Sequence, residues 1–105
     1  MNIKPLFCSV TEQQMTIFDM VAPIIEKRFP KAFAFTDHRT NRLDFELKYD
    51  VKERDKTLMI YPDQRLLDKT CHCLTNLFVN NNLEITIVLM CDEYGDAWGI
   101  ELTWQ

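Results

Sequence analysis

The clearest hydrophobic pattern in the chain is an unbroken alternation over residues 42–50. Leu43, Phe45, Leu47 and Tyr49 fall on one side; Arg42, Asp44, Glu46, Lys48 and Asp50 fall on the other. A period of two predicts a strand buried on one face and wet on the opposite one. Residues 31–37 read as another strand, with Phe33 and Phe35 on one face and Ala32 and Ala34 on the other. The polar stretch 38–41 supplies a turn, so these two strands pair as an antiparallel hairpin.

A period near 3.6 precedes them. Phe18, Val21, Ala22, Ile25 and Phe29 recur at three and four residues and predict a helix over about residues 11–29. Ser9 and Glu12 have the spacing of a capping box, in which each side chain satisfies an orphan backbone N–H. Pro23 conflicts with this helix, because it removes a donor and crowds the preceding turn. Either the helix kinks at Pro23 or a second short helix opens there; Pro30 ends the element in both cases.

Residues 50–56 read as a charged connection, and 57–61 as a short third strand stopped by Pro62. Asp63 then caps a second helix running to about Asn80, with Leu67, Cys71, Leu74, Leu77 and Phe78 as its apolar stripe. Asn80, Asn81 and Asn82 end it, since Asn tolerates the left-handed conformation. Residues 84–91 form a strongly β-prone run, 92–96 a turn, and 97–104 the last strand. Trp98, Ile100, Leu102 and Trp104 share one face of that strand, which assigns both tryptophans to the core; Gly99, Glu101 and Thr103 share the other. Two main helices and antiparallel hairpins predict an α+β two-layer sandwich, with the helices packed on a mainly antiparallel sheet of about five strands.

The chain has 105 residues, which fits one domain spanning 1–105. Hydrophobic residues make up 47% and charged residues 27%, so the composition is that of a globular chain with a core. No apolar run approaches the ~18–20 residues of a membrane helix, and no basic-then-apolar leader opens the chain. The four cysteines are scattered rather than framed for disulfides, which predicts reduced thiols and a cytosolic protein.

Charge is distributed unevenly. The net charge is −4. Residues 1–56 hold ten Lys or Arg against nine Asp or Glu, whereas residues 57–105 hold only Arg65 and Lys69 against seven acids. The halves therefore carry +1 and −5. The final hairpin carries Glu84, Asp92, Glu93, Asp96 and Glu101 with no basic side chain, and Tyr94 sits at its turn. This pattern argues against direct binding of nucleic acid by bulk positive charge. The cluster Lys27, Arg28 and Lys31 does not reverse that, because basic residues in a last helical turn answer the helix dipole.

Catalytic and metal chemistry find little support. Cys71 and Cys73 flank His72, but on a helix they point roughly 200° apart and cannot grip one ion together. Asp92, Glu93 and Asp96 lack the alternating carboxylates and fixed glycine of a calcium loop. His38 and His72 are the only histidines, and nothing in the sequence brings either to Cys8, Ser9 or Cys91. Gly95 and Gly99 are the only glycines, too few for a phosphate-cradling loop. The reading is a non-enzyme without metal or cofactor.

What remains is a surface for a basic protein. Asp92, Glu93, Asp96 and Glu101 would steer such a partner, with Tyr94 as anchor. Asp44 and Glu46, on the wet face of the 42–50 strand, form a second, mixed-charge contact region. In size, acidity and want of a catalytic set the chain resembles bacterial immunity proteins and antitoxins that block nuclease toxins. The resemblance is one of composition rather than motif. It implies an inhibitor whose carboxylates stand in for nucleic acid in a basic cleft. The alternative is a structural or regulatory subunit that forms homo- or hetero-oligomers, for instance a homodimer through an open sheet edge, with the acids serving solubility.

Overall fold

A computed structural model describes residues 10–105. Ser9 and Cys8 lie outside the described residues. Helix α1 spans Glu12–Arg28 and begins with a capping box two residues later than expected: the Thr11 hydroxyl accepts from the Gln14 amide, and the Gln14 side chain accepts from the Thr11 amide. The helix runs through Pro23 as one element. Gln14 is buried, and its side-chain NH2 lies within hydrogen-bond reach of the Asp37 and Thr40 carbonyls at 2.9 and 2.7 Å. One polar side chain thus fixes both the helix start and the turn after the first strand.

The strands are β1 (Phe33–Phe35), β2 (Arg42–Glu46), β3 (Tyr49–Glu53), β4 (Lys56–Ile60), β5 (Thr86–Cys91) and β6 (Ala97–Thr103), with α2 (Gln64–Asn80) between β4 and β5. They form two sheets: a four-stranded antiparallel sheet in the order β1-β2-β6-β5, and a separate two-stranded ribbon of β3 and β4. The fold is α+β, as the pattern of elements predicts. Register explains the core. Leu43, Leu102 and Ile87 lie side by side across β2, β6 and β5; Ala34, Phe45, Ile100 and Leu89 form the adjacent row. These rows meet Ile17, Phe18, Val21 and Ile25 of α1 and Leu67, Leu74 and Phe78 of α2. Phe18 stacks on Phe45 with ring centroids 6.2 Å apart.

The opposite face of this sheet carries Arg42, Asp44 and Glu46, Glu101, Val88 and Met90, and the half-buried Phe33 and Phe35. Gly99 also lies there. A Cβ at Gly99 would come within 2.6 Å of both the Phe45 carbonyl oxygen and the Met90 methyl, so the close approach of the strands requires glycine.

The 42–50 alternation does not form one strand. It breaks after Glu46, and both Leu47 and Lys48 donate their amides to the Trp98 carbonyl. Trp98 is the extra residue of a β-bulge: Met90 faces Gly99, but Cys91 faces Ala97. The bulge returns Ala97 to the core side and turns Trp98 out of the core cluster, so the expected core position of Trp98 is corrected. Its ring instead meets the Lys48 ammonium, 4.7 Å from the ring centre. Beyond Lys48 the chain enters the β3–β4 ribbon. The expected charged connection over 50–56 is mostly strand, turned at Arg54 with φ of 56°. Val51, Leu58 and Met59 of this ribbon are exposed.

Helix α2 follows expectation closely. Asp63 accepts from the Leu66 amide at 2.9 Å as its N-cap. At its end Asn82 is left-handed with φ of 53°, the Leu83 amide donates to the Phe78 carbonyl, and the Asn82 amide donates to the Val79 carbonyl. That double closure is a Schellman motif and satisfies carbonyls the helix would otherwise orphan. Cys71, Cys73 and Cys91 are free thiols. Among the described residues no helix is long and apolar enough to cross a membrane.

The stacked pair at the core centre generates a test. Phe45 is fully buried, and Phe45→Ala is expected to cost about 3–5 kcal/mol through lost transfer energy and a residual cavity. Urea unfolding should show this as a lower midpoint at unchanged slope; a loss below about 1 kcal/mol would show that the helices do not close over the sheet at this position.

Candidate functional site

The β5–β6 turn is organised by one carboxylate. Asp92 Oδ1 accepts the amides of Tyr94 and Asp96 at 2.9 and 3.0 Å, and the Gly95 amide closes onto the Asp92 carbonyl. Asp92 Oδ2 accepts the Tyr61 hydroxyl at 2.8 Å, which ties the end of the ribbon to the hairpin. Gly95 has φ of 83°, the left-handed geometry this turn needs. The hydrogen bond from Tyr61 and those from the two amides hold the Asp92 carboxyl below its ordinary value, with Lys48 adding attraction. The same bond pushes the Tyr61 hydroxyl up.

Asp92 is therefore the frame of the turn rather than its free charge. Glu93 and Asp96 make no ion pair among the described residues, and both are exposed. Between them Tyr94 is 82% exposed, more than any other large apolar side chain described. The turn thus presents an aromatic ring flanked by two uncompensated carboxylates.

The other acids expected at a contact surface are arranged differently. Asp44 and Glu101 lie directly opposite each other on β2 and β6. Like charges so placed repel, and Arg42 resolves the conflict: its Nε lies 2.7 Å from Asp44 Oδ2 and 3.6 Å from Glu101 Oε1. Asp44 is only 3% exposed, which corrects its expected place on a wet contact face. Its Oδ1 is buried and has no hydrogen-bond partner. Burial pushes the Asp44 carboxyl above its ordinary value, Arg42 opposes this, and Glu101 reinforces it. Glu46 is half-buried at the far end of the same face, opposite Gly99. The predicted contact residues accordingly divide between the turn, with Asp92, Glu93, Tyr94 and Asp96, and the sheet face, with Asp44, Glu46 and Glu101.

Among the described residues, reactive side chains are not gathered. His38 lies at an exposed turn beside Asp37, 3.7 Å away. Arg39 grips the same Asp37 in a bidentate pair and holds its carboxyl far below the usual range. Cys71 and His72 face a shallow groove between α2 and β5. Burial, with Asp68 nearby, pushes the Cys71 thiol up, opposite to the shift that activates a nucleophile. No group of three or more His, Cys, Asp or Glu among the described residues is disposed to hold a metal.

Sequence reasoning missed two features of this region. Tyr61 was read only as a strand end, and its pairing with Asp92 across 31 positions has no local signal. The β5 edge and its groove depend on strand order, which periodicity does not encode. Comparison with protein-family models, with curated proteins and with solved structures finds no match.

Two carboxyls should titrate in opposite senses. Asp44 binds its proton more tightly in the folded chain, so its contribution to stability falls as pH rises from the ordinary carboxylate value through its raised one. Asp92 has the reverse sign: its contribution is present above the ordinary value and lost as pH falls through its lowered one. Carboxyl-carbon NMR should place Asp44 above and Asp92 below the usual aspartate value of about 3.9. Tyr61→Phe should move the Asp92 midpoint upward and leave that of Asp44 unchanged. An unmoved Asp92 would remove Tyr61 from the turn.

Proposed function

We propose that this chain is a cytoplasmic protein-binding module of the immunity or antitoxin type, which inhibits a basic, nuclease-like toxin by covering its working surface. The observation that carries the reading is the exposed Tyr94 ring between the unpaired Glu93 and Asp96 carboxylates. Uncompensated charge draws a cationic partner and orients the encounter. An aromatic ring on a rigid turn then supplies contact area at low entropic cost. Asp92 contributes by holding that geometry, and Glu101 lies apart on the sheet face, where Arg42 answers it. In a cleft built to receive phosphate, the carboxylates replace the nucleic acid electrostatically and deny it entry.

The competing reading, an oligomeric structural or regulatory subunit, is favoured by a different feature. The ribbon exposes Val51, Leu58 and Met59, apolar surface of the kind that associates. Size-exclusion chromatography over a range of concentrations separates the two. A dimer that forms through the ribbon and leaves the β5–β6 turn free is compatible with inhibition; one that buries the turn is not.

The decisive measurement uses the partner captured from the native host, tested alongside the product of the neighbouring reading frame. Glu93→Lys with Asp96→Lys is expected to slow association about tenfold at low salt and to flatten its salt dependence, with little change in dissociation. Tyr94→Ala should act mainly on dissociation. Asp92 is kept intact, because its loss would unmake the turn. A partner indifferent to both variants would overturn the proposal.

A further inference from the structure

Among the described residues, β5 pairs only with β6, so its outer edge presents an unpaired row of backbone donors and acceptors. An edge of this kind usually carries protection. This one has neither Lys nor Pro in Thr86–Cys91, and four of its six residues are Ile, Val, Leu and Met. Val88 is 45% exposed. The edge also borders a groove. Asp68, Cys71, His72 and Thr75 follow one another at three, four and seven residues along α2, and with Ile87 and Leu89 of β5 they line a cleft of about 320 Å³. Helix α2 therefore has two faces, one closing the core and one facing this margin of the sheet.

We propose that the β5 edge is the docking site for an extended, basic segment of the partner protein, added to the sheet as a fifth strand. This rests on the protein-binding reading above and specifies how the partner is held. Main-chain hydrogen bonds to β5 would supply affinity, and alternate side chains of the incoming strand would enter the groove against Ile87, Leu89 and Cys71. A strand matching the six residues of β5 spans about 20 Å.

Charge decides between a basic segment and a second copy of this chain. Acids stand at both ends of the edge, Glu84 before it and Asp92 and Glu93 after it, and Asp68 stands within the groove. The cations of α2, Arg65 and Lys69, do not line the groove. Antiparallel pairing of two β5 edges would bring Asp92 and Glu93 of one copy against Glu84 of the other, like against like. A strand with apolar side chains toward Ile87, Leu89 and Cys71, and Lys or Arg toward its ends and toward Asp68, meets both the apolar lining and the acids favourably.

Backbone methylation of a peptide provides the test. The probe is a blocked peptide of about nine residues, lysine and valine alternating, long enough to cover the edge. Two derivatives carry N-methyl groups on alternate residues, one on the odd positions and one on the even. All three have the same charge, and only one derivative loses the N–H groups that face β5. With the full chain at low salt, that derivative is expected to bind at least tenfold more weakly than the other, as loss of several main-chain hydrogen bonds requires. Amide exchange should slow at β5, and NMR shifts should centre on Ile87, Leu89 and the α2 face. Equal binding of all three peptides with shifts confined to Glu93–Asp96 would overturn strand addition and leave the acidic turn as the contact. Absence of binding, or a concentration-dependent dimer protecting β5, would also overturn it; the turn variants measured on the host partner judge the broader reading separately.

Discussion

The carbonyl of Trp98 accepts the amides of Leu47 and Lys48, and the shape of the molecule follows from that pair of bonds. The bulge inserts one residue into β6, which bends the strand and gives its carbonyl room for two donors. β2 stops there and the chain leaves the main sheet. The ribbon begins soon after, and its return through Tyr61 reaches Asp92 in the β5–β6 turn. The same extra residue rotates Trp98 away from the helices and under the Lys48 ammonium. A regular β6 would leave β2 free to continue through Tyr49, and neither the ribbon nor the Tyr61 anchor would sit where it does.

Local chemistry made the helices legible. The Asp63 cap and the asparagine stop of α2 are readable because each satisfies backbone groups within a few residues of itself. The N-cap of α1 was read two residues early, since Ser9 with Glu12 and Thr11 with Gln14 both have capping-box spacing, and of the two partners Gln14 has distant carbonyls to bond. The 42–50 alternation misled for the opposite reason. Its period is that of a strand throughout, and the break after Glu46 is imposed by Trp98, some fifty positions away. Asp44 was misplaced because alternation gives the face but not its cover. Phe35 and Glu101 flank it across the neighbouring strands, and Arg42 closes on it from the same one.

The charge asymmetry seen in the sequence is real but is partly spent inside the fold. Arg42, from the positive half, takes Asp44 and reaches Glu101. Asp92 is absorbed by amides and a hydroxyl. What reaches solvent at the turn is Glu93 and Asp96, a narrower and better-defined negative feature than residue counting indicates. The buried Asp44 is the reverse case. It is a charge held where charge is costly, with one oxygen unanswered, beside a second carboxylate and a single arginine.

Gly99 sits on β6 between β2 and β5, with a carbonyl and a methyl group already filling the space of a side chain. The residues of the β3–β4 ribbon, by contrast, mostly look outward into water. A library of random codons selected for folding would thin to one letter at position 99 while keeping a broad alphabet between 50 and 58. The chain thus holds an immovable pivot a short distance from its freest stretch, and sequence drift would be steered into the ribbon.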